Sequence, residues 1–384
     1  MSDNLVRLSI LLISLIMFSG CSPAQSQPVQ APTAQITTRA TNIVPAVTPS
    51  LAPPTPTAMP TRVPTGVSTP TSVATSTPRA TAPMPTALPA AVAYSYPIGR
   101  PGRPLGDGFF IRHGFATENT WYNPGYWHTG EDWYAQAGDT AGARVYAIAD
   151  GQVVYAGANY PGRVVIVRHA DDLFSMYGHL DPNLSIRVDQ QLARGDLIGT
   201  VLRRGDTTPN HLHFEIRTFL TATEVNGAAP RYPFSCGRNC PPGPGYWPLD
   251  ASDVPSELGW GNPAHVLARR MAGSGGLGEV VVATKPISSS VTLWSAAPND
   301  PARATLGELA LQPGERYMLL DLYAGAEDTR ETSARAYQLW YRIAVSDGRS
   351  GWVQAAVASN FETGSDGRPS SVSFNFFPAV DAAL

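Results

Sequence analysis

His128-Thr-Gly-Glu-Asp132 and His211-Leu-His213 bring imidazoles and a carboxylate to spacings that suit one metal ion. A catalytic zinc site takes three protein ligands and keeps a fourth position for water. These two strings offer that donor set with one histidine to spare. In a strand, side chains two apart share a face. His211 and His213 therefore emerge side by side while Leu212 turns to a core. One ring can hold the metal and the other can stand over a substrate. His128 and Asp132 are four apart, and Gly130 lets the backbone bend so that both reach one ion. That glycine and the following Trp133-Tyr134 favour a loop leading into a strand. Nothing else in the 384 residues has comparable chemical specificity.

The elements that must position these residues read as strands. Arg144–Ala149 and Gln152–Ala156 flank Asp150-Gly151, a tight hairpin turn signal. Arg163–His169 and Leu173–His179 form a second expected pair around Ala170-Asp-Asp172. Asp196–Leu202 and His211–Arg217 form a third, interrupted by Arg204-Gly-Asp206. Short strands with regular turn signals predict an antiparallel β fold. Helical periodicity is scarce, and Pro263–Arg270 is the clearest short case. Residues 218–262 read as a loop-rich insertion within a domain of residues 94–270. A glycine-rich joint, Met271–Gly278, leads to a second β-rich unit, 279–359. Its hairpin of Leu339-Trp-Tyr-Arg-Ile-Ala-Val345, Asp347-Gly348 and Gly351-Trp-Val353 resembles a bacterial SH3-like barrel. Residues 360–384 carry no readable pattern and stand as a tail. The expected fold class is mainly β: an antiparallel β-sheet domain followed by a small SH3-like β-barrel.

The other end of the chain reads as an export signal and a stalk. Arg7 precedes an eleven-residue apolar run, Leu8–Phe18, too short to span a hydrocarbon core of roughly 30 Å comfortably. Phe18-Ser-Gly-Cys21 follows and resembles the lipobox of bacterial lipoproteins, although leucine is more usual where Phe18 stands. The resemblance implies a signal peptide over 1–20 and an acylated Cys21 anchored in a membrane; an ordinary cleaved signal is the alternative. Fifteen of the 36 prolines fall between Pro23 and Pro89. Residues 22–93 hold three arginines, no lysine and no acidic residue. Such a segment cannot build a core and reads as a disordered Pro/Thr-rich linker over 21–93. At about 3.1 Å per residue it could reach on the order of 200 Å if fully extended. Cys236 and Cys240 are the two remaining cysteines. In an oxidising, exported setting they are expected to pair as a disulfide. The formal charge of -3 and 15 % charged residues give no basic face for nucleic acid.

His128-x-Gly-x-Asp132, Ala149-Asp-Gly-Gln-Val153, Tyr177-Gly-His-Leu180, Arg194-Gly-Asp-Leu-Ile-Gly199 and His211-Leu-His-Phe-Glu215 occur together, in order. This set resembles the lysostaphin-type zinc endopeptidases, which include LytM-like enzymes, over residues 95–217. The resemblance implies Zn2+ held by His128, Asp132 and His213, with His179 and His211 as catalytic histidines. It implies hydrolysis of a peptide bond in peptidoglycan, by an enzyme held outside the cell membrane through Cys21. Tyr122 and Tyr126 are candidates for stabilising an oxyanion, and the role stays open. Glu131 and Glu215 read as loop and strand carboxylates, and His113, His169 and His265 as hydrogen-bonded structural residues. Two alternatives stand beside the peptidoglycan enzyme. One is a non-catalytic peptidoglycan-binding regulator, if residues 218–262 or Trp121–Trp127 cover the cleft. The other is a zinc protease of protein substrates. The SH3-like unit is expected either to bind wall peptide or to serve as a β spacer.

Overall fold

The computed structural model describes residues 94–120, 123–157, 163–205, 207–221, 245–272, 278–328, 337–364 and 367–381. The expected signal, lipidation site Cys21 and linker lie outside the described residues, as do Tyr122, Cys236 and Cys240. The fold is mainly β, and every strand pairing is antiparallel. Among the described residues there is one α-helix, Pro263–Ala272, where the sequence predicts it. Proline at the first helical position suits an N-terminus, since its missing N–H has no partner there in any case.

The site is carried by a ten-stranded sheet. Its order along one path is Gln191–Leu192, Gly151–Gly157, Arg163–Arg168, Phe174–Leu180, Leu212–Arg217, Glu131–Ala135, Phe109–His113, Pro369–Phe374 and Ala356–Thr363. Leu212–Arg217 is buried at all six positions, so it can only be a central strand. The remaining strand, Trp260–Gly261, pairs with its far end.

Two expected hairpins give way to other pairings. Arg144–Tyr146 joins Ile98–Gly99 and Leu197–Thr200 in a separate three-stranded sheet. Asp150-Gly151 is therefore a passage between sheets. A Cβ on Gly151 would lie 2.6 Å from the Arg168 carbonyl oxygen, so the glycine serves close approach rather than a turn. Leu197–Thr200 and Leu212–Arg217 also part company, because the first is half-exposed and the second is buried on both faces. The pair Arg163–Arg168 and Phe174–Leu180 forms as expected, around a 3₁₀ turn at Ala170–Asp172. Leu339–Ala344 and Ser350–Gln354 likewise form a hairpin.

That hairpin belongs to a seven-stranded sheet: Thr305–Ala310, Ser290–Trp294, Ser350–Gln354, Leu339–Ala344, Arg316–Ala324, Glu279–Val282 and Phe376–Pro378. The region left as a patternless tail is structured. Phe376–Pro378 closes this sheet, while Ala356–Thr363 and Pro369–Phe374 extend the ten-stranded one, Val372 opposite Ile111. Both sheets share one apolar core. Trp133 stacks on Phe374 at 5.5 Å and 14°, and Tyr96 meets Phe374 and Phe377 edge-on at 5.7 Å. The tail was illegible because its apolar residues face two different sheets within a few residues of each other.

Candidate metal centre

Three adjacent strands fix the cluster through their register. On the central strand, His213 pairs with Asp132 on one side and with Gly178 on the other. His128 ends its own strand, Asn123–His128, opposite Tyr246. Between His128 and Asp132 the chain passes so near the central strand that a Cβ on Gly130 would lie 2.3 Å from the Phe214 carbonyl oxygen. Gly130 thus permits contact between backbones, a stricter demand than the bending freedom read from the sequence.

The structure brings His128, Asp132 and His213 together, with one ligand atom of each within 4.8 Å of the others. His128 Nε2 and His213 Nδ1 approach Asp132 Oδ1 at 3.2 and 3.0 Å, and each other at 3.0 Å. Two imidazole nitrogens and a carboxylate oxygen, all but sealed from solvent, are the donor set of three-ligand metal sites. The tautomers suit that role. His128 Nδ1 donates to the Gly114 carbonyl at 3.3 Å, which leaves Nε2 with its lone pair toward the cluster. His213 Nε2 donates to Glu215 Oε1 at 3.0 Å, which frees Nδ1. Such outer partners hold a ligating ring in its tautomer and orientation.

Glu215 is itself anchored by the Thr129 hydroxyl at 2.7 Å, the Trp260 indole N–H at 3.0 Å and the Arg217 guanidinium at 3.2 Å. It is a structural carboxylate, as the sequence reading has it, but one that orients a candidate ligand.

The electrostatics fit cation binding. Burial alone would raise the Asp132 carboxyl, but the surrounding rings of His128, His211 and His213 hold it well below the usual range. Burial pushes His128 and His211 down, partly opposed by Asp132, so both rings are neutral at pH 7. His213 moves the other way, up to about 9. Burial opposes the rise, and its bonds to Asp132 and Glu215 outweigh that. A metal entering this site must displace the His213 proton.

The two remaining histidines stand beside the cluster. His211 Nε2 is 3.6 Å from Asp132 Oδ1. Its Nδ1 donates to the Pro209 carbonyl at 2.9 Å, leaving Nε2 as the basic nitrogen. The His179 ring is 4.5 Å from the ring of His211 and 6.2 Å from that of His213. His179 has φ +58°, a left-handed backbone that a residue with a Cβ rarely adopts. The strand register explains it: Gly178 and His179 together oppose the single residue Val164. Such a bulge re-aims a side chain and is common beside active sites.

Tyr134 and Tyr246 escaped the sequence reading, and His113 was read only as a structural residue. Tyr134 stacks on His211 at 4.8 Å with its hydroxyl 3.0 Å from Nδ1. The signal was available, because Tyr134 lies two residues from Asp132 on the same strand face. Tyr126 sits on the strand that ends in His128, opposite Pro248. Tyr246, at the return of the 218–262 insertion, packs its ring 5.4 Å from that of His128. His113 carried no signal of its own, yet its Nδ1 lies 3.8 Å from Asp132 Oδ2.

Residues 126–227 match the sequence model of Peptidase family M23. Lipoprotein NlpD of Yersinia enterocolitica is 41 % identical over 85 residues, which are 21 % of this chain and 84 % of that protein. Murein hydrolase activator NlpD of Escherichia coli is 42 % identical over 84 residues, covering 21 % of this chain and 22 % of that one. The chain spans between 13 % and 22 % of the length of the first curated relatives it matches. A zinc-containing peptidase from Vibrio cholerae superposes over 32 % of this chain and 36 % of its own, at 28 % identity and a TM-score of 0.25. The matched segment begins two residues before His128 and contains Asp132, His179, His211 and His213. By that match and the Yersinia relative, the chain belongs to peptidase family M23.

Proposed function

We propose that this protein is a zinc endopeptidase that cleaves peptide bonds in peptidoglycan stem peptides or cross-bridges from a lipid anchor outside the cell membrane. The observation that carries this reading is the convergence of His128 Nε2, Asp132 Oδ1 and His213 Nδ1, with two further histidines at its edge. His211 Nε2, neutral and basic, accepts a proton from the attacking water. That proton then passes to the departing amine, while His179, aimed across at His211 by its bulge, orients the water. Acid–base help of this kind contributes about 10²–10⁴-fold. Peptidoglycan as substrate is supported by the murein-related names of the relatives.

The full chain loaded with zinc is expected to release muropeptides from isolated cell walls, read by chromatography and mass spectrometry. Asp132→Ala is expected to lose both zinc and activity. His179→Ala is expected to keep zinc and lose about 10²–10⁴-fold in turnover. Wild-type rates in either variant would refute the enzyme.

A second reading has a specific observation behind it. The Escherichia coli relative is named a murein hydrolase activator. An activator of that kind would release nothing alone and would stimulate an added murein hydrolase, equally well as His179→Ala. The same assay with a second hydrolase present separates the two.

The lipid anchor at Cys21 and the Cys236–Cys240 disulfide belong to the same proposal. Radiolabelled palmitate should be incorporated into the wild type and not into Cys21→Ser. The SH3-like unit is assigned to wall binding through a cleft of about 400 Å³ lined by Thr292, Trp294, Arg303, Trp340 and Gln354. Arg303 lies 4.2 Å over Trp294 and 5.4 Å from Trp340, a platform that suits peptide planes and carboxylates. Arg303→Ala with Trp294→Ala is expected to abolish wall pull-down and leave zinc binding unchanged.

A further inference from the structure

The strands Ala356–Thr363 and Pro369–Phe374 lie outside the family match, yet they reach the metal cluster. They do so through His113, the last residue of the strand they extend. His113 Nε2 lies 2.5 Å from Glu362 Oε2, and Arg112 grips the other oxygen of Glu362. On its opposite side His113 turns Nδ1 toward Asp132 Oδ2 at 3.8 Å. That nitrogen is buried and has no hydrogen-bond partner among the described residues. An unsatisfied buried donor or acceptor costs about 1–3 kcal/mol, so its persistence calls for an explanation.

The two oxygens of Asp132 divide their surroundings. Oδ1 faces His128, His213 and His211, and Oδ2 faces His113. A ligating carboxylate with one oxygen turned to the metal needs its other oxygen held. We infer that Glu362 and His113 are positioning residues for Asp132, so that the C-terminal segment completes the metal centre of the peptidase sheet. Glu362 fixes the His113 ring, and Nδ1 is aimed at Oδ2, within a small rotation of hydrogen-bonding distance. The hairpin is itself pinned at this point. The Ser371 hydroxyl donates to the Arg112 carbonyl at 2.7 Å and accepts from the Glu362 N–H at 3.1 Å.

This inference rests on the reading that His128, Asp132 and His213 hold zinc. Its test is zinc affinity, measured on the full chain by competition with a chromogenic chelator, with no substrate present. Glu362→Gln keeps the shape and removes the charge. It is expected to weaken zinc binding about 10–100-fold, and Glu362→Asp is expected to recover part of that loss. Val372→Ala, in the same hairpin but away from the relay, is expected to lower the melting temperature and leave zinc affinity intact. If Glu362→Gln binds zinc within twofold of wild type, the inference is overturned, whatever happens to its melting temperature. Should Glu362→Gln fail to fold by circular dichroism, His113→Gln carries the same expectation and the same threshold. Wild-type protein that binds no zinc would overturn the site itself. Wild type and variants that bind equally would overturn the positioning role alone.

Discussion

His213 shows how much of this site is decided one shell away from the candidate ligands. Its two ring nitrogens face two carboxylates, Asp132 and Glu215, and Glu215 faces an Arg217 that is itself fully buried. Removing Glu215 would strand the Arg217 charge and release the His213 tautomer together. Breaking a buried ion pair from one side costs about 3–5 kcal/mol. Glu215→Ala is expected to show a loss of that size in urea unfolding, together with weaker zinc binding. The raised His213 gives a second, independent expectation. Titrating zinc into the wild type at pH 7 should release about one proton from this ring. Calorimetry in buffers of different ionisation enthalpy measures that number, and it should fall toward zero above pH 9, where the ring is already neutral.

At the scale of elements, Gly130 and two buried histidines hold strands in place. Gly130→Ala would drive a methyl into the Phe214 carbonyl. Backbone cannot rotate away as a side chain can, so the strand pair Glu131–Ala135 and Leu212–Arg217 must separate. The expected result is a lower melting temperature and lost zinc binding, where a glycine valued for bending alone would tolerate alanine. His169 bridges the Asp150 carbonyl and the Ser175 hydroxyl. His265, on the helix, donates from Nδ1 to the Ala326 carbonyl and accepts the Gln338 N–H at Nε2. Burial takes both rings from 6.5 down to about 4. Each therefore gains a proton more readily once unfolded. Their contribution is complete above pH 6.5 and is lost as pH falls toward 4. At about 1.4 kcal/mol per pH unit, each can remove roughly 3 kcal/mol. Urea midpoints should fall between pH 7 and pH 4.5, and His265→Gln should flatten that slope.

In the whole molecule, the two β units are not separable by cutting near residue 278. The segment after 279 supplies Val372 to the ten-stranded sheet, and Phe374 and Phe377 to the packing around Trp133 and Tyr96. A chain ending at Gly278 would expose Phe109–His113 as an unpaired edge, an aggregation hazard. It is expected to be recovered as aggregate by size-exclusion chromatography, whereas the chain from Tyr94 to Leu384 should elute as a folded species. The sequence by itself pointed to His128, Asp132, His211 and His213 as one cluster, to the β class and to the helix at Pro263–Ala272. These rest on local rules: motif spacing, alternation, and a proline that starts a helical turn. It also determined the pairing of Arg163–Arg168 with Phe174–Leu180, because a short turn joins neighbours in the chain. Only the tertiary structure decided which strands pair across long separations. It set Arg144–Tyr146 apart from Gly151–Gly157, placed Leu212–Arg217 at the centre, and folded residues 356–378 back over both sheets. It alone brought Glu362 to His113, 249 positions away, and so to Asp132. No periodicity records such a meeting, because it follows from how buried faces share one core.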